Sequence, residues 1–184
     1  MAGVSVQPGD LPSGMVKCDL TGDINSFLNK EKAADPNTYA QTKTQWDAAQ
    51  QKGATSAYTA FYADSAAHCA TIKSTGADIS AANYKLLVNF VVQYKDEKSA
   101  ASAYSSDSIF GFSASGLKSS GAAVIDGTKT GLTSNSIVLS GTLAPQSFYI
   151  ADWQNKRFVI ILAILNVDAA ASKGVATSEN RRIR

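Results

Sequence analysis

His68 and Cys69 stand side by side, and a histidine next to a cysteine is the residue pair of a thiolate nucleophile with its base. The flanking Ala66, Ala67 and Ala70 put both on a helix, where successive side chains diverge by about 100°. A bridged Cys69 would offer no thiolate, so His68 is expected at a helix surface or core edge without a catalytic role. Serine chemistry fares no better. Gly111-Phe112-Ser113-Ala114-Ser115-Gly116 misses the Gly-x-Ser-x-Gly elbow by one residue, and His68 is the chain's single histidine. Asp96 and Glu97 fit a helix start, where a carboxylate satisfies free N–H groups, and Asp126, Asp152 and Asp168 fit turns or strand ends. A glycosidase-type pair among them would show only in three dimensions. One histidine and two cysteines cannot assemble an ordinary zinc site. Gly127-Thr128-Lys129-Thr130-Gly131 has the wrong spacing for a phosphate loop and reads as a polar turn. No catalytic residue, metal site or cofactor is therefore assigned.

The elements that would carry these residues follow from composition and periodicity. The 184 residues are 45% hydrophobic and 17% charged, enough apolar material for one domain over 1–184. A formal charge of +2 excludes nucleic acid as the natural partner, and the arginines of the tail Arg181-Arg182-Ile183-Arg184 are expected to be solvated. No apolar run reaches the roughly 18 residues of a membrane span. Pro8, Gly9, Pro12 and Gly14 make residues 1–14 an extended arm, leading to a short extended piece around Met15 to Cys18. Asp23 and Asp35-Pro36 each open a helix, the second stopping at Gly53, and Tyr58, Phe61, Tyr62, Cys69 and Ile72 predict a third over Thr55–Ser74. Residues 15–76 are thus expected to be helical and 77–184 to form the sheet. Apolar residues at alternate positions from Tyr84 to Lys95 predict a strand with one dry and one mostly wet face. A short helix after Asp96 follows, and then a Gly/Ser-rich stretch over 106–131 holding a short helix and strand or a mobile flap. The strands Ser136–Gly141, Ser147–Trp153 and Arg157–Asn166 make an antiparallel meander. The last of these is apolar on both faces and so central. A helix from Asp168, interrupted at Gly174, closes the chain. The fold class expected is α+β: N-terminal helices and an antiparallel sheet of about four strands, with a crossover helix and a C-terminal helix.

Cys18 and Cys69 are either two buried thiols or one disulfide. Abundant Ala, Ser, Thr, Asn and Gln, sparse Lys and Glu, and a loose start favour the disulfide and an oxidising compartment. Such a link closes a loop of about fifty residues, worth on the order of 4 kcal/mol through the entropy removed from the unfolded chain. Met1-Ala2-Gly3 has neither the charged nor the apolar region of an export signal, so the chain reads as a mature, extracytoplasmic form. The segments Asp10-Leu11-Pro12-Ser13-Gly14-Met15-Val16-Lys17-Cys18 and Thr21-Gly22-Asp23-Ile24, with Trp46, Gly53-Ala54 and Cys69, resemble the mature regions of exported bacterial lipoproteins and secreted proteins of unassigned activity. The resemblance covers roughly residues 10–75. It implies an extracytoplasmic location and no catalytic residues, and Cys18 has no lipobox before it.

Among the aromatic residues, Phe110 and Phe112 in the Gly/Ser stretch, with Tyr149 and Trp153 on the sheet, are the expected lining of an apolar pocket. The expected function is a non-enzymatic extracytoplasmic domain binding a small apolar ligand or a cell-surface component. The alternatives are a carboxylate-based hydrolase of cell-wall or sugar substrates and a purely structural or protein-binding module.

Overall fold

A computed structural model describes residues 1–74, 82–106, 112–119, 123–143 and 145–183. Its elements run β1 (Val16–Lys17), β2 (Gly22–Asp23), α1 (Ile24–Ala34), α2 (Pro36–Gln51), β3 (Ala54–Ala63), α3 (Ala66–Ser74), β4 (Leu86–Tyr94), α4 (Glu97–Ser106), α5 (Ala114–Ser119), β5 (Val124–Asp126), β6 (Ser136–Leu143), β7 (Gln146–Asn155), β8 (Phe158–Leu165) and α6 (Ala169–Arg182). The fold is α+β, and among the described residues the antiparallel sheet has eight strands where about four were expected. Its order is β1-β3-β4-β8-β7-β6-β5, with β2 also paired to β3.

β1 lies in the short extended piece expected around Met15–Cys18, whereas β2 and β3 come from the region read as helical. Tyr58, Phe61 and Tyr62 do fall at helical spacing, yet they belong to β3 rather than to a helix over Thr55–Ser74. β3 pairs with β4 from Ala57↔Val92 to Ala63↔Leu86 and is dry on both sides over most of its length. With both faces apolar, no period-2 signal survives to compete with the helical one. Only α3 remains of the predicted helix, started by the Ser65 hydroxyl accepting from the His68 N–H at 3.1 Å.

Two layers cover the sheet. On one face lie α1 to α5. Phe27 of α1 stacks on Phe61 of β3 at 5.6 Å between ring centres, and both meet Phe90 of β4 edge to face. Asp23 and Asp35 cap α1 and α2 as expected, each accepting from two backbone N–H groups. Gly53, at φ +99°, takes the left-handed turn that ends α2. The second face is covered by α6, continuous through Gly174, and by the N-terminal arm. This layer explains why the face of β4 predicted to be wet is dry: Asn89 is wholly buried. Its Oδ1 accepts from the Val6 N–H, and its Nδ2 donates to Glu179 Oε2 at 3.1 Å and to the Ile161 carbonyl.

The basic tail is likewise not simply solvated. Arg182 donates from Nη1 and Nη2 to the two carboxylate oxygens of Asp10 at 2.9 and 2.7 Å, and from Nη2 to the Ser5 carbonyl at 3.0 Å. The arm is therefore a strap across the sheet, held at both ends of the sequence.

Cys18 and Cys69 form a disulfide, joining the segment after β1 to α3. Around it, Asp19 pairs with Lys30 of α1 at 3.2 Å and with Lys73 of α3 at 2.9 Å.

Two measurements check this architecture. Native protein should incorporate no alkylating label by intact mass until reduced, and replacing both cysteines by serine should cost about 3–4 kcal/mol in denaturant unfolding. Asp10→Asn should speed amide exchange in residues 4–10 and cost about 1–3 kcal/mol, since it removes one half of a bidentate charged pair.

Candidate functional site

The end of the sheet where β4 leaves and β8 begins carries a cleft of about 530 Å³, within the roughly 300–1,000 Å³ of small-molecule sites. Four elements build it. Val4 comes from the strap, and Arg182 and Ile183 from the end of α6. Asp96 and Glu97 come from the start of α4, and Lys156, Arg157 and Phe158 from the β7–β8 turn. Phe158 and Ile183 are almost buried. They give the cleft an apolar component, while the charged side chains supply its polar one.

Local structure positions these charges. The tight β7–β8 hairpin forces Lys156 to φ +49°, a left-handed conformation that costs a side-chain-bearing residue roughly 1 kcal/mol. Arg157 is held from behind. The Gln93 amide, turned so that both neighbours are satisfied, accepts from Arg157 Nε and Nη2 at 3.1 and 3.0 Å and donates to Ser56 Oγ. The Arg157 guanidinium also lies 5.9 Å from the centre of the Phe158 ring. Asp96 is committed to capping α4, accepting from the Ser99 N–H at 2.7 Å. That bond holds its carboxyl below the ordinary value. Arg182 is committed to Asp10. Lys156, Arg157 and Glu97 form no ion pair with any of the described residues.

The residues expected to line a pocket are distributed differently. Phe110 lies outside the described residues. Phe112 packs against the core on the α1–α5 side, whereas Tyr149 and Trp153 belong to the core beneath α6. Phe112 is thus separated by the sheet from the other two. Tyr149 is held by burial at a pKa of about 12. Its hydroxyl and the Trp153 indole N–H are sealed without a partner among the described residues. The cleft residues escaped the sequence reading because Val4, Asp96, Lys156 and Arg182 are remote from one another in the chain. The one available signal was a Lys-Arg pair at a hairpin turn, which usually means a solvated loop.

Among the described residues three carboxyl groups are buried. Asp152, placed at a strand end by the sequence reading, lies inside β7 and is 3% exposed, with Oδ1 unpartnered among the described residues. Burial raises its pKa to about 7. It shares a lateral row with Ile137 and Asp126, so Asp126 lies on the same face two strands away. Asp126 is exposed and paired with Lys118 at 3.2 Å. Glu31 in α1 is wholly buried and its pKa is raised to about 7, first by burial and then by the nearby Asp35 charge. Glu179 in α6 is pushed well above the ordinary value by burial, against the opposing effects of Asn89 and Arg182.

His68 has one partner that the sequence reading overlooked. Asp64, one helical turn earlier, hydrogen-bonds its Nδ1, and the imidazole stacks on the Tyr84 ring at 4.0 Å. Burial pushes the Asp64 carboxyl up, but the hydrogen bonds from His68 and the Lys85 N–H prevail and keep it low. The ring is thereby packed and oriented as an anchor of α3. Among the described residues no group of three His, Cys, Asp or Glu side chains is placed to hold a metal ion.

No family model matches the chain, and no curated protein matches it either.

The buried acids set the pH dependence. A carboxyl whose pKa is raised by folding binds its proton more tightly in the folded state. Its contribution is complete below the unfolded pKa near 4 and is lost as pH rises to about 7. Glu31→Gln and Asp152→Asn remove that loss. Each should gain stability relative to the parent protein between pH 4 and pH 8, by at most about 3 kcal/mol for Glu31→Gln and about 4 kcal/mol for Asp152→Asn, in denaturant unfolding at the two pH values. A difference that does not change with pH would refute the assignment.

Proposed function

We propose that this chain is a non-enzymatic, extracytoplasmic binding domain, and that it takes a small amphiphilic molecule, or an exposed group of a surface component, in the cleft between the strap, α4, the β7–β8 turn and α6. The observation carrying this reading is the cleft itself. It has the volume of a small-molecule site, an apolar component from Val4, Phe158 and Ile183, and three charged side chains, Glu97, Lys156 and Arg157, that form no ion pair with a described residue. The disulfide supports an oxidising compartment. No helix among the described residues is long and apolar enough to cross a membrane. The apolar ligand expected from the sequence is retained in part, as the body of an amphiphile, but it sits away from Phe112, Tyr149 and Trp153.

A panel of short peptides, alkyl phosphates, fatty acids and oligosaccharides tests this by amide chemical-shift mapping and thermal melting. A true ligand should perturb Val4, Phe158 and Ile183. At one hundred times its Kd it should stabilise the fold by about 2.7 kcal/mol, a rise of roughly 5–10 °C in Tm for a chain of this size. Shifts clustered elsewhere, or turnover of any panel member, would overturn the reading.

A further inference from the structure

The charges around the cleft are of both signs and come from different elements. Lys156 and Arg157 sit on the β7–β8 turn and Glu97 on the first turn of α4. None of the three forms an ion pair with a described residue, although all line the same 530 Å³. The two remaining charged side chains there are already engaged, Asp96 by the α4 cap and Arg182 by Asp10. Had the cleft evolved only to accept an anion, a free carboxylate in it would repel that anion. Had it been shaped for a cation, two adjacent free cations would do the same. An occupant that satisfies both sets carries an ammonium and a carboxylate together.

We infer that the cleft's ligand is a small zwitterion with an apolar body, the chemistry of a short unblocked peptide of apolar residues. The inference rests on the binding-domain reading above. In it, the ligand carboxylate meets Lys156 and Arg157. The Arg157 fork is pre-oriented by Gln93, so less side-chain freedom is lost on binding. The ligand ammonium meets Glu97, and its side chains lie against Phe158, Ile183 and Val4.

Four probes decide it by calorimetry and amide-shift mapping on the intact protein: trileucine, its N-acetyl form, its C-terminal amide and octyl phosphate. Free trileucine should bind with shifts at the cleft, and blocking either end should weaken binding at least tenfold. Glu97→Gln should abolish the difference between trileucine and its N-acetyl form. Lys156→Asn, chosen because Asn tolerates the left-handed conformation, should narrow the difference between trileucine and its amide. Neither residue is buried, so both variants should keep the parental melting temperature within a few degrees. Equal binding of all three peptide forms would overturn the inference. Octyl phosphate binding in the cleft more tightly than trileucine would overturn it too while leaving the binding domain intact. Absence of cleft shifts with every probe would overturn both.

Discussion

β8 is buried along its whole length, and β4 nearly so, and the two lie side by side in the middle of the sheet. A strand apolar on both sides must be covered on both sides, and most of the remaining architecture answers that demand. One cover comes from the helices before and after β3. The other comes from α6 and the strap, which arrive from opposite ends of the chain. Each cover is tied down covalently or by charge: the Cys18–Cys69 link fastens α3 to the segment after β1, and the Arg182–Asp10 pair fastens the strap to α6.

Covering the second face brings polar groups inside. Asn89 interrupts the apolar run of β4 and would be costly in a dry layer without partners. It has three, in the Val6 N–H, the Ile161 carbonyl and Glu179. These bonds run between a central strand, the last helix and the first residues of the chain. They fix how the strap and α6 lie on the sheet, which apolar contacts alone specify weakly. The cleft is a consequence of that placement, because the strap and the end of α6 supply part of its surface.

Much of the local structure was legible in the residues. The helix starts at Asp23, Asp35, Asp96 and Asp168 follow from side chains that accept backbone N–H groups. The meander of β6, β7 and β8 follows from closely spaced β-rich segments. The disulfide followed from composition, and a continuous apolar run marked β8 as central. β3 was not legible, because burial on both faces erases alternation and leaves Tyr58, Phe61 and Tyr62 at a spacing that suits a helix equally well. Asn89 and Arg182 looked like solvent-facing residues, since a polar side chain gives no sign of a partner eighty or more positions away.

The cleft marks the boundary most clearly. Its charged residues are ordinary surface types at turns and helix ends, while Tyr149 and Trp153, which looked like part of a binding set, are core, and Phe112 packs against the core on the opposite face. Sequence determined the kind of element at most positions, the antiparallel character of the late strands and the covalent link, because these depend on near neighbours or on composition. Only the tertiary structure decided which faces are dry, where the strap lies and which charges share a cavity. Those depend on surfaces brought together from distant parts of the chain, and a linear pattern holds no record of that distance.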